Sequence, residues 1–180
     1  MAIKTMTAGT GGGNKFSEGW HTVKISKAQY GDQNGQKILD LWFEDYPDNF
    51  NTRIWERVNK TTNEEFAIAN TFKYAVAGIK GVLTDNTGKY PIMQYDDESE
   101  NLVGKTINIF VYKENKTGNN YSRVWNNIAP VPQETEHITF TPEQVEGIKA
   151  GIASRCKQVT SAPSNGSNQP SEVVTDEMPF

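Results

Sequence analysis

Three tryptophans interleaved with arginines stand at spacings that could grip an unpaired nucleic-acid strand. Residues 37–44 alternate, so that Leu39, Leu41 and Phe43 share one face and Ile38, Asp40, Trp42 and Glu44 the other. Residues 50–58 put Arg53, Trp55 and Arg57 opposite an inward Ile54. Residues 121–128 put Tyr121, Arg123 and Trp125 on one side, and residues 102–114 add Phe110 and Tyr112 to the outward set. Unpaired bases expose flat faces that stack on Trp and Tyr for about 1–3 kcal/mol per base. Arginine and lysine neutralise phosphates and release counterions. A duplex hides its base faces, so such a platform selects single strands. The alternative for Trp42, Trp55 and Trp125 is packing beneath a helix or the N-terminal arm. Against it, the interleaved arginines are costly to bury unpaired.

Other chemistries have weaker support. His21 and His137 each stand alone. Cys156 is the single cysteine, which excludes an internal disulfide and a multi-cysteine zinc site. Its neighbours Arg155 and Lys157 favour a thiolate, but a nucleophile also needs a base and an oxyanion site. The glycines at 9–13 follow no strand and precede no Lys-Ser/Thr pair, unlike a phosphate loop. Asp96-Asp97-Glu98-Ser99-Glu100 would suit Mg²⁺ in a small nuclease, yet reads first as a solvated acidic loop. No catalytic residue, metal or cofactor is expected.

The elements that must position the aromatic face follow from periodicity. Strand 1 spans Trp20 to Tyr30 with Val23 and Ile25 inward, and a turn at 31–35 leads to strand 2 at 37–44. Tyr46-Pro47-Asp48-Asn49 turns the chain into strand 3 at 50–58. Residues 64–79 take helical spacing, with Asn63 as cap, Glu64 and Glu65 at the positive end of the dipole, and Gly78 and Gly81 near the stop. Residues 82–100 show no clear period. Strand 4 is expected over 102–114 and strand 5 over 121–128, joined by a loop at 115–120. Thr141, Pro142 and Gln144 open a second helix over about 142–156. Residues 1–17 read as a flexible arm, and 158–180, rich in Ser, Asn, Pro and Gly, as a disordered tail. The order strand-strand-strand-helix-strand-strand suits a five-stranded OB-fold barrel; an open α+β sandwich is the rival. In an OB-fold the strand 2–3 face and the loops joining strands 1–2 and 4–5 bind oligonucleotides. The expected nucleic-acid site is therefore Lys37, Trp42, Arg53, Trp55, Arg57, Tyr112, Lys113, Lys116, Tyr121, Arg123 and Trp125.

Charge is segregated along the 180 residues. The formal net charge is -4, all 18 Lys and Arg fall at or before Lys157, and beyond it only Glu172, Asp176 and Glu177 are charged. A near-neutral body argues against coating of duplexes. No apolar run approaches the roughly 20 residues of a membrane span, and Met1 to Lys15 lacks the apolar core of a secretory signal. The expected compartment is the cytoplasm. The chain closes on Asp176-Glu177-Met178-Pro179-Phe180, where a ring, a carboxylate and two acids can dock together on a basic, apolar pocket of a partner.

With that tip, the chain resembles the single-stranded DNA-binding proteins of bacteria and bacteriophages. Residues Glu18 to Lys24 and Leu39 to Pro47 add a looser, phage-like similarity. The resemblance implies an OB-fold over roughly residues 18–130 that coats exposed strands in replication, recombination or repair. It also implies recruitment of a polymerase, helicase, primase or nuclease through the tip, in a bacterial host cytoplasm if phage-encoded, with homo-oligomer formation left open. The sequence departs from the family in having two acids rather than a run, Met178 in place of an aliphatic residue, an added helix at 142–156 and a body that is not net basic. The competing reading is an OB-fold adaptor whose main ligand is protein.

Overall fold

A computed structural model describes residues 17–84, 87–88, 91–116 and 119–161, with the side chains of 116, 119 and 158–161 left undescribed. Residues 1–16 of the expected arm, and the tail from 162 with its tip Asp176–Phe180, lie outside the described residues.

The described chain is mostly β. Five strands form one antiparallel sheet: β1 (Gly19–Gln33), β2 (Gln36–Phe43), β3 (Thr52–Trp55), β6 (Thr106–Lys116) and β7 (Asn119–Ala129), in the spatial order β3-β2-β1-β6-β7. β1 serves both halves. Its first part, Gly19 to Lys24, pairs with β6, and its second part, from Ile25 to Gln33, pairs with β2. An irregularity between Ile25 and Lys27 marks the change of partner. Two smaller antiparallel pairs, β4 (Ile79–Thr84) with β5 (Pro91–Tyr95) and β8 (Gln133–Glu134) with β9 (Thr139–Phe140), complete the strands. Among the described residues no ladder joins β3 to β7, so the sheet is not a closed barrel. A side-chain bond crosses that seam, from Thr52 Oγ1 to the carbonyl of Trp125 at 3.1 Å.

Alternation explains the inner face. Val23, Ile25, Leu39, Leu41, Ile54, Ile107, Ile109 and Val111 are all buried in one core. The helix α1 (Ala67–Ala75) lowers Ile68, Phe72 and Ala75 into it, together with Thr71. That stripe has the i, i+3, i+4, i+7 spacing of an amphipathic helix. The helix is shorter than the expected 64–79: Glu65 and Phe66 are still bridged to Arg57 and Val58, Asn63 is left-handed at φ 59° and does not cap it, and Val76 ends it. Glu65 does the capping, its carboxylate accepting the N–H groups of Ile68 (2.8 Å) and Ala69 (2.9 Å). At the other end Val76 is left-handed and Gly78 follows at φ 63°. A Cβ on Gly78 would fall 2.3 Å from the Asp96 carbonyl, so only glycine fits there.

The second helix, α2 (Pro142–Ser161), opens on the expected capping box. Thr141 Oγ1 accepts the Gln144 N–H, and Gln144 Oε1 accepts the Thr141 N–H at 2.9 Å. The helix runs past residue 157, so the first residues assigned to the tail continue it. It packs on β6 and β7 and buries Val145, Ile152 and Cys156. No helix among the described residues is long and apolar enough to cross a membrane.

Two outward assignments do not hold. Ile38 is buried because its cross-strand partner, Gly31, has no side chain and Ile38 lies over it. Phe110 is buried against the Trp20 ring, 5.2 Å between centroids, on the side of β6 that α2 covers. Alternation assigns a side chain to a face; it does not say whether a later element covers that face. The β4–β5 pair, in the stretch without clear period, is a further difference.

Candidate nucleic-acid interface

The β2–β3 ladder sets the centre of the face. Its register pairs Ile38 with Trp55 and Asp40 with Arg53. Trp42 follows Asp40 on the same side, with its indole N–H donated to the Asp48 carbonyl at 3.1 Å. Lys27, opposite Trp42 on β1, lays its ammonium 4.5 Å from the Trp42 ring centroid. Trp42 and Trp55 are half-buried and Arg53 is exposed.

The β6–β7 hairpin brings a second group. Tyr112 pairs with Arg123, and Glu114 with Tyr121, so the four alternate on one surface. Tyr121 is 45% exposed. Trp125 meets Tyr112 edge-on, 5.7 Å between centroids at 83°. Burial pushes the Tyr112 phenol above its ordinary pKa, helped by Glu114 and by Cys156 of α2. The second helix thus lies near this ring pair, and Trp125 is partly enclosed, its indole N–H buried without a hydrogen-bond partner. For Tyr112 and Trp125, packing beneath α2 competes with an open stacking role.

The two groups meet at the seam. Asn49, Asn51, Arg53, Trp55, Tyr112, Arg123 and Asn126 line an open cleft of about 330 Å³ between β3 and β7. The structure therefore gathers four of the expected site residues, Arg53, Trp55, Tyr112 and Arg123, into one place. It does not bring Lys37 there. Lys37 stands over the Tyr30 ring at 4.1 Å and reaches Asp97 at 3.3 Å. Lys113 donates to Ser122 Oγ at 2.6 Å on the hairpin. Arg57 lies beyond β3, exposed. The Lys116 side chain is outside the described residues.

Both gathered arginines already have an acid. Arg53 donates through Nε and Nη2 to the two Asp40 oxygens (2.7 and 2.9 Å), and through Nη1 to Gln33 Oε1 at 2.6 Å. The Asp40 bond holds the guanidinium pKa above its ordinary value. Arg123 Nε meets Glu114 at 3.2 Å. These pairs were readable in principle, since alternation places Asp40 and Arg53 on one face of adjacent strands. The asparagines of the cleft carried no such signal, because their loops and the irregular stretch of β7 set their direction.

The rival sites gain little. Asp96 meets Lys80 at 3.6 Å, Asp97 is taken by Lys37, and no group of acids, histidines and cysteine among the described residues is placed to hold a metal ion. Cys156 is buried, and burial raises its thiol pKa, with Glu18 adding to the effect; the basic neighbours do not make it a thiolate. His21 Nε2 lies 2.7 Å from the Ser17 carbonyl, a local contact. No family model and no curated protein matches the chain.

Proposed function

We propose that the protein binds single-stranded DNA, largely without regard to sequence, through the β2–β3 face and the adjoining β6–β7 hairpin. The observation that carries this reading is the convergence of Trp55, Tyr112, Arg53 and Arg123 on one open cleft. Rings there offer stacking surfaces to unpaired bases, and guanidinium groups offer phosphate partners. Strand order also supports an OB-fold reading: β1 is shared between two halves, a helix precedes β6, and the seam between β3 and β7 is bridged by Thr52. In the same reading, coating serves replication, recombination or repair in the cytoplasm, and Asp176, Glu177, Met178, Pro179 and Phe180 recruit a partner enzyme.

A protein-binding adaptor is the second reading. It is favoured by the pairing of Arg53 with Asp40 and Arg123 with Glu114, which weakens the positive field of the face. It is also favoured by the apolar Val82, Leu83 and Ile92 exposed on β4–β5. A tryptophan-fluorescence titration separates the two. DNA binding gives strong quenching by a mixed-sequence single strand, a weaker response to its duplex, and loss of binding with added salt. No quenching at low salt overturns it in favour of the adaptor.

A further inference from the structure

The β4–β5 ribbon stands apart from the five-stranded sheet. Its strands pair with each other and, among the described residues, with no third strand. A two-stranded ribbon by itself is marginal in water. Its root is held: the Tyr95 ring packs on the core 5.2 Å from Phe72, and the Asp96 N–H is donated to the Gly78 carbonyl at 2.9 Å. Beyond the root, the register pairs Val82 with Met93 and Leu83 with Ile92. Alternation sets Met93 on the side of Tyr95 and Ile92 on the opposite side, and Leu83, directly across from Ile92, shares that outer side. Leu83 is 51% exposed and Ile92 49%, more than any other large apolar side chain among the described residues. The two most exposed apolar side chains are thus cross-strand neighbours on one face.

Charge decides what fits that face. The strand residues 79–84 and 91–95 carry one charged side chain, Lys80, and Asp96 meets it at 3.6 Å. Asp96, Asp97, Glu98 and Glu100 follow at the root, and Lys37 and Lys80 each engage one of the four. A nucleic-acid strand or the acidic tip Asp176–Phe180 would meet these carboxylates with little positive charge to offset them. An uncharged apolar face meets no such opposition. We propose that the occupant is the same face of a second copy of the chain. The two ribbons pack face to face about a two-fold axis, Leu83 and Ile92 of one against Leu83 and Ile92 of the other. An antiparallel crossing keeps the two acidic runs at opposite ends. Strands of six and five residues fall well short of the about 20–30 residues a side of a stable interface, so the association is weak and grows with concentration. It does not depend on the single-strand reading above.

The test is sedimentation equilibrium of the full chain, without DNA, over a concentration series reaching about 1 mM. The mean mass is expected to rise from 20.1 kDa toward twice that value. Leu83→Lys and Ile92→Lys each set like charges across the axis, and each is expected to weaken association at least about tenfold. Should a lysine variant misfold by circular dichroism, Ile92→Cys supplies a second measure. Cys156 is buried, so this variant presents one accessible thiol. Mild oxidation is expected to link it into dimers far more than Val58→Cys, whose position is exposed but off the ribbon. A parent that stays at 20.1 kDa throughout overturns the proposal. So does a rise in mass that both lysine variants keep, or equal cross-linking of the two cysteine variants. Loss of association on deleting residues 172–180 assigns the face to the acidic tip and overturns the second copy. A fall of about fivefold or more in the single-strand affinity of Leu83→Ser, measured where the parent is monomeric, assigns it to DNA and overturns it equally.

Discussion

Arg53 and Asp40 face each other across the β2–β3 ladder and share a two-pronged bond, 2.7 Å at Nε and 2.9 Å at Nη2. A phosphate that takes Arg53 must compete with that carboxylate. Asp40→Asn removes the competing charge and leaves the shape. Single-strand affinity is expected to rise about three- to tenfold at low salt, and the dependence of log K on log salt to steepen by about 0.7, the value of one added phosphate contact. Affinity that is unchanged or lower in the variant would show that Arg53 does not meet phosphate.

Trp55 is the ring best placed to stack, since it lines the cleft, whereas the Trp42 indole is tied to the Asp48 carbonyl. Trp55→Ala is expected to cost about 1–3 kcal/mol of single-strand binding, a factor of roughly 5 to 150. Circular dichroism of the variant is expected to match the parent. An undiminished affinity with loss of protein capture would favour the adaptor.

Phe72 is fully buried between α1 and the sheet, with the Tyr95 ring 5.2 Å away. Phe72→Ala leaves a cavity and is expected to lower stability by about 3–5 kcal/mol, read from urea unfolding. A loss below about 1 kcal/mol would mean that α1 does not close the core.

Alkaline pH provides a test of the tyrosines. Burial raises the phenol pKa of Tyr30, Tyr74, Tyr95 and Tyr112, and Asp97 reinforces the shift at Tyr30. A group whose folded pKa lies above its unfolded value stabilises the fold fully below the unfolded pKa, about 10 for tyrosine, and loses that contribution as pH rises through the folded value. Stability is therefore expected to hold up to about pH 10 and then fall. Phenolate absorbance is expected to show part of the tyrosine signal appearing only together with unfolding. Complete ionisation of all tyrosines before any loss of the far-ultraviolet signal would contradict the burial.

Much of the scaffold was legible because it obeys one rule. Val23, Ile25, Leu39, Leu41, Ile107 and Ile109 alternate in strands with a single wet or covered side, and each is buried as expected. Thr141 and Gln144 announced α2 by local chemistry alone. The misreadings arise where a second layer intervenes. Phe110 obeys alternation yet is covered, because α2 packs on the far side of β6. Ile38 depends on Gly31, a residue seven positions away whose importance is the volume it lacks. The β4–β5 pair was hidden because its apolar residues, Val82, Leu83 and Ile92, remain exposed and leave no inside-outside pattern. The outward placement of Trp55, Arg53 and Arg123 on their strands was legible from alternation, but their meeting at one cleft depends on how the sheet curves.

The sharing of β1 between two partners has a consequence for assembly. The β1–β2–β3 meander is made of neighbours in sequence, whereas β1 meets β6 only across some eighty to ninety residues, as in the pairing of Trp20 with Phe110. Local hairpins close quickly and distant pairings slowly, because the entropy of loop closure comes before the contacts that offset it. By that criterion the meander and the β6–β7 hairpin are the two local units, and the pairing of β1 with β6 is the distant contact that joins them. Since the same strand anchors both halves, loss of β1 would free an edge of each at once, and coupled unfolding of the two halves is the expected outcome.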